Sequence, residues 1–388
     1  MNIVKNTYLA TSTVLLLSLL SPSFTSAAPL VSVGDNVDIF FSGSSSMRWT
    51  SNVYSVEIDE EDDIIWTISP GFEINVGRGL SDADLSIITR YDIVRYQDLD
   101  QLDAELFHIK AVGSYSTSRL DLNGSLSFDE SKTSIDDVSN IRDLIESETV
   151  GANLNAEYRV SPKFSFGAGV QYTEQEYVTY RDRFADRDTT KLPFDVFYEL
   201  TPKVDLSLGY TYSQTDIDST IFRNEYETSS HFYNVGARGN LLPKLTGFFK
   251  VGYRDRDSTR AGADNNGILG LDADFTWAVS PKLTASLGLS RDFGVDGEGA
   301  STENSSVDTS VSYSIDSKWS ADANVGYTLR EYGNGREDNQ YSLGARISYV
   351  PNQHWRFGGG YNYSENDSSL AGGSNKNHSL DVSASLRY

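Results

Sequence analysis

The 388-residue chain has no cysteine and only nine prolines. Past its first thirty residues it also lacks any apolar run near the roughly 18 residues that a membrane-spanning helix needs. Without cysteine there is no disulfide framework. Without the long apolar run there is no spanning helix. Positive charge is scarce too, with 32 Lys and Arg against 55 Asp and Glu and a net charge of -23. That balance excludes a nucleic-acid binder, which must neutralise phosphates. The mean hydropathy of -0.39 would suit a soluble protein. It suits equally a chain whose strands are apolar on one face only.

Aromatics are plentiful, with 23 Tyr, 18 Phe and 5 Trp. Such residues suit strands and the interfacial girdles of a membrane barrel. The N-terminus carries Lys5, an apolar core from Val14 to Leu20 and the small residues Thr25, Ser26 and Ala27. This pattern predicts a signal peptide over residues 1–27, cut after Ala27, with one mature domain over 28–388.

One turn chemistry recurs downstream. It reads Ser161-Pro162-Lys163, Thr201-Pro202-Lys203, Leu242-Pro243-Lys244, Ser280-Pro281-Lys282, Asp316-Ser317-Lys318 and Val350-Pro351-Asn352. Proline presets a turn φ and lacks the N–H that a central strand would use. Each period of about 34 to 41 residues holds two alternating segments of about ten residues and one longer polar loop. A propeller blade would need four strands, and only two fit.

The alternation is cleanest late in the chain. Trp319, Ala321, Ala323, Val325, Tyr327 and Leu329 alternate with Ser320, Asp322, Asn324 and Gly326. Leu380, Val382, Ala384, Leu386 and Tyr388 alternate with Asp381, Ser383, Ser385 and Arg387. Successive strand side chains point to opposite faces, so each segment has one apolar and one polar face. Lipid outside and water inside is the arrangement that satisfies every such strand. The expected fold is all-β: a transmembrane antiparallel up-and-down barrel of about 18 strands, with 16 as the alternative and both termini periplasmic. Pro70-Gly71 is expected to mark a bulge or bend in the second strand. Across Glu130 to Ser147, Ile135, Val138, Ile141, Leu144 and Ile145 recur at helical spacing, which predicts a short helix in an outer loop. The last segment resembles the C-terminal signal by which outer-membrane barrels are recognised for insertion, with Leu380, Val382, Leu386 and Tyr388 as its apolar positions.

The polar parity carries the candidate lumen residues Arg90, Asp92, Arg159, Asp195, Glu199, Asp205, Arg238, Lys250, Arg254, Asp322, Arg346, Arg356 and Arg387. Phe40, Tyr96, Phe197 and Phe248 share that parity. Their flat faces could stack on sugar rings, or a parity slip at a bulge could have put them there. The histidines His108, His231, His354 and His378 have no evident Ser and Asp partners, so no catalytic constellation is expected. The acidic stretch Glu57 to Asp63 lacks the glycine and spacing of an EF-hand, which favours a solvated loop over a calcium site. No metal or cofactor is expected.

Ile68-Ser69-Pro70-Gly71-Phe72, Asp84-Leu85-Ser86, Tyr91, Tyr96, His108 and Leu120-Asp121-Leu122 together resemble the putative β-barrel porin 2 family. The resemblance implies an outer-membrane barrel, often encoded with exopolysaccharide synthesis and export systems. It implies no catalytic residues. The implied partners are outer-membrane lipid, the barrel assembly machinery, an exopolysaccharide and periplasmic export proteins. The resulting expectation is a porin that lets an exported exopolysaccharide leave. The alternatives are a general diffusion porin for small solutes and a non-conducting structural or adhesive barrel.

Overall fold

The computed structural model describes residues 29–77, 82–135, 141–260 and 266–388. The predicted signal peptide and Val138 lie outside the described residues. Among the described residues nineteen strands follow one another: β1 (Val31–Val33), β2 (Val37–Thr50), β3 (Asp63–Val76), β4 (Ala83–Tyr96), β5 (Ala104–Ser116), β6 (Leu120–Thr133), β7 (Ile145–Arg159), β8 (Phe164–Tyr177), β9 (Arg187–Thr201) and β10 (Val204–Ile217). They continue as β11 (Tyr226–Leu242), β12 (Leu245–Ser258), β13 (Gly267–Ser280), β14 (Leu283–Val295), β15 (Ser301–Ser314), β16 (Trp319–Tyr332), β17 (Glu337–Tyr349), β18 (Trp355–Ser368) and β19 (Asn375–Arg387).

Eighteen of them, β2 to β19, pair with their sequence neighbours in antiparallel fashion, and β19 returns to β2. The barrel is therefore closed and has eighteen strands, which leaves no edge to satisfy. The short β1 pairs with the start of β2 as a small hairpin. At the seam Ser379 faces Thr50 and Arg387 faces Ser42. Tyr388 and Phe41 exchange both backbone hydrogen bonds, at 2.7 and 2.9 Å. The segment that resembles an assembly signal is thus the strand that closes the ring.

Turns and loops segregate to opposite ends. The Pro-Lys turns and both ends of the barrel sequence (Val37 and Arg387) lie at one end, called here the turn end. The longer connections lie at the other, the loop end. Among the described residues, register shifts occur only beside the turns at Val204/Asp205, Asn240/Leu242 and Ala278/Ser280. Everywhere else the alternation runs true, so inward and outward faces are preserved.

Pro70 corrects one expectation. β3 is unbroken, and Pro70 sits opposite Gly43 in register. The ladder to β4 lapses at Ser69 and Pro70 and resumes at Gly71 opposite Arg90 without a shift. Proline simply withholds its donor at one rung. The predicted helix corrects another. Glu130–Thr133 prolongs β6 and Ile145–Ser147 opens β7, and no helix occurs in the described part of this segment. Its apolar residues are claimed by other loops instead. Leu144 packs with Val53, Tyr54 and Leu102. Ile135 and Ile141 pack against Ile145, Tyr177 and Phe184.

The outward face is apolar and uncovered by protein. Leu208 is 64% exposed, Leu126 63% and Leu269 63%. So much exposed aliphatic surface is stable only against lipid. Aromatic pairs such as Trp319–Tyr349 (4.6 Å) and Phe164–Tyr198 (5.2 Å) sit outward at the turn end, where a girdle belongs.

The barrel lumen as candidate functional site

In-register pairing puts every residue of the polar parity on the inner wall. The wall divides into arcs with different chemistry.

The first arc runs from β7 to β12 and is braced by ion pairs. Arg238 of β11 reaches Glu157 of β7 at 2.7 Å and Asp205 of β10 at 3.1 Å. Lys250 bonds Asp195 at 2.8 Å. Arg254 pairs with Asp292 of β14, and Lys191 lies 3.6 Å from the same carboxylate. Apart from Arg238–Asp205, which spans the adjacent β10 and β11, these links join strands that are not neighbours, so they hold the wall's cross-section as well as its charge. Gly209 helps: a Cβ there would collide with the side chains of Asp195 and Asn234. Only glycine leaves room for the two polar groups that flank it.

Three inward phenylalanines each carry an arginine on one face. The Arg238 guanidinium lies 3.4 Å from the Phe197 ring centroid, and that of Arg387 lies 3.7 Å from Phe40. Arg254 covers Phe232 at 4.1 Å. Cation–π stacking therefore occupies one face of each ring. The register places Phe40, Phe197 and Phe248 inward without a parity slip, opposite Glu73, Ser165 and Arg238. Tyr96 also points inward, but packs with the Val53, Tyr54 and Leu102 cluster at the loop end.

The second arc, β13 to β16, is open. Asp274 and Asp308 have no hydrogen bond or ion pair among the described residues. Around them the wall is hydroxylic: Ser286 bonds Ser310, Ser306 bonds Thr328 at 2.9 Å, and Ser312 donates to Asp322 at 2.7 Å. Halfway round the eighteen-strand ring from β14 stands β5, where Lys110 is likewise free among the described residues. Lys110, Asp274 and Asp308 each lie six residues before the turn end of their strands. One wall therefore presents an unpaired cation at the level where the opposite wall presents two unpaired carboxylates. Exposed Arg48 on β2, also unpaired among the described residues, adds to the cationic side.

The remaining predicted lumen residues fall into local groups. Arg90 lies 2.8 Å from Asp92, and His108 bridges Asp92 (3.2 Å) and Asp129 (3.0 Å). Arg346 bonds Asp381 at 2.6 Å, and Arg387 bonds Glu73 at 2.8 Å. Arg159, Glu199 and Arg356 lie at the turn-end rim on strands β7, β9 and β18. Lys191, Asp292, Lys110 and Phe232 are missing from the predicted set. Their alternation was the available signal. Pro193 blurs it in β9, and adjacent Arg291 and Asp292 blur it in β14.

At the loop end the connections bind one another. Arg183 of the β8–β9 loop pairs with Glu298 of the β14–β15 loop at 3.3 Å. Ala185 donates to the Gly297 carbonyl, and Ile221 to that of Asp182. Arg142 pairs with Glu61 at 2.5 Å. The acidic stretch is exposed over Glu57 to Glu60, while its end is tied into the structure. Asp62 accepts from Trp49 Nε1, and Asp63 accepts from the backbone N–H of Ile64, Asp98 and Leu99. Among the described residues no group of three or more acidic or histidine side chains is arranged to hold a metal ion.

A closed eighteen-strand barrel with a lipid-ready exterior and a polar, charged interior defines a porin-type outer-membrane barrel. The chain belongs to the family described as "Putative beta-barrel porin 2", whose model matches residues 39–388. No curated protein matches the chain. Among solved structures, a bacterial polysaccharide outer membrane secretin is similar at 11% identity and a TM-score of 0.40, covering 92% of this chain and 100% of that one. OpdK of Pseudomonas aeruginosa is similar at 11% identity and 0.44, covering 90% and 99%. The siderophore receptor PirA of the same organism gives 9% and 0.46, covering 90% and 80%. The assignment rests on the family match and the barrel itself.

Proposed function

We propose that the barrel is the outer-membrane exit for an exported exopolysaccharide, with its turn end in the periplasm. The observation that carries this is the open arc, a hydroxyl-rich wall facing a lumen in which Phe40, Phe197 and Phe232 each have one face covered by arginine. A polymer that must keep moving needs many weak polar contacts and no strong ones. Serine and threonine supply weak exchangeable hydrogen bonds, while capped rings withhold the stacking that would hold a sugar in place. The family resemblance supports the same cargo. Passage is passive, with no catalytic step in the barrel, and the driving force comes from periplasmic partners.

The test is disruption of the gene in its host, with polymer measured at the surface and in the periplasm. Surface polymer should fall and periplasmic polymer should rise, with recovery on complementation. Normal surface polymer together with lost uptake of small solutes would establish the diffusion porin instead. Orientation is tested separately. Because the chain has no cysteine, Phe222→Cys and Ser317→Cys report cleanly. Only the first should react with an impermeant maleimide on intact cells.

A further inference from the structure

On the outer face of β8 to β12 lies an open groove of about 650 Å³. It follows one register row of the lumen-facing parity, Gly167, Asp195, Gly209, Asn234 and Gly252, in which the Asp195 and Asn234 side chains point into the lumen and the three glycines have none. Outward, that row is therefore a trough. Its wall toward the turn end is the row Phe166, Val196, Leu208 and Val235. Its wall toward the loop end is Phe194, Tyr210 and Tyr233, with the two tyrosine rings 5.2 Å apart. Every wall is a side chain of the lipid-facing parity.

The trough ends beside a cationic edge. Lys163, in the turn before β8, places its Nζ 5.8 Å from the ring of Tyr198, one outward row below Val196. Lys203 lies in the turn before β10 at the same end, and Lys244 in the turn before β12. The same strands carry no outward acidic residue between these lysines and the groove.

We infer that this groove is a binding site for a phospholipid, its acyl chain lying in the trough and its phosphate at Lys163 and Lys203. An apolar slot in lipid-facing wall takes a hydrocarbon chain by burial of apolar surface. Lysines at the headgroup level select an anionic head. The inference rests on the turn end facing the phospholipid leaflet, as proposed above. It is independent of the cargo. The bound lipid would seat the braced arc, since Asp195 and Gly209 line the lumen directly behind the trough.

The test is native mass spectrometry of the full barrel, delipidated in detergent and titrated with phosphatidylglycerol, phosphatidylcholine or lipid A. Phosphatidylglycerol should be retained in preference to phosphatidylcholine. The variant Lys163→Ala with Lys203→Ala should lose that preference, roughly five-fold per lysine. Ala168→Phe, which fills the trough, should reduce retention of both phospholipids. Heat-modifiable migration confirms that each variant is folded. Equal retention of all lipids, or retention untouched by either variant, would overturn the site. Preferential retention of lipid A would also overturn it, and would show the turn end to face the other leaflet. The maleimide labelling above would then be reversed, whereas a site that fails for its own reasons leaves that labelling intact.

Discussion

The braced arc and the open arc face the same lumen with opposite uses of charge. From β7 to β12 the charges are spent on one another. Glu157, Asp195 and Asp205 each meet a cation within 3.1 Å. From β13 to β16 Asp274 and Asp308 meet none among the described residues. Charges that pair across strands fix the shape of the wall. Charges left to water fix the potential a solute meets. The same residue type, an inward aspartate, thus has a structural task on one side and a selective one on the other.

The sharpest way to break the comparison is Arg238→Ala. It leaves Glu157 and Asp205 without their shared cation and uncovers Phe197. A buried pair broken on one side costs about 3–5 kcal/mol, and water in the lumen lowers that to about 2 kcal/mol. The denaturant midpoint should fall accordingly. A midpoint like that of the parent would mean that the brace carries no load.

Asp274→Lys with Asp308→Lys should do the reverse. No partner is lost, so stability should move by less than about 0.5 kcal/mol. Ion selectivity should shift toward anions, because both substitutions fall at one level of the lumen. If the variant unfolds early and selects as before, the two arcs are not functionally distinct.

A smaller effect concerns the loops above the braced arc. Asp296 is buried and accepts a hydrogen bond from the Ala300 N–H. Burial pushes its carboxyl up to about 6 from the ordinary range. A raised carboxyl favours the packed loop while it is protonated. That stabilisation is complete below the ordinary carboxylate range and is lost as pH rises through about 6. Amide exchange at Ala185 and Gly299, corrected for its intrinsic pH dependence, should accelerate between about pH 5 and pH 7. Asp296→Asn should abolish the change.

Much of the fold was legible because one physical rule acts on every strand. β16 and β19 alternate without interruption, so their faces, and Asp322 and Asp381 with them, could be read directly. The strand number followed from repeating turns. Pairings were not legible. Arg238 and Glu157 lie 81 residues apart, and no local pattern says that they meet. The loop over Glu130 to Ser147 misled for a related reason. Ile135, Ile141 and Leu144 have helical spacing by coincidence, and their true partners, Tyr177 at the end of β8 and Phe184 and Val53 in other loops, are distant in sequence. The surroundings of the aromatics were illegible for the same reason. Phe40 and Phe197 do face the lumen, but the arginines stacked on them are distant in sequence.

The most direct test of a water-filled, charge-polarised lumen is single-channel recording of the purified barrel in planar bilayers. The parent should give step conductances, and Asp274→Lys with Asp308→Lys should move the reversal potential toward anions in a salt gradient. A heat-modifiable, folded barrel that stays silent in both forms would contradict the porin account and leave a structural or adhesive barrel in its place.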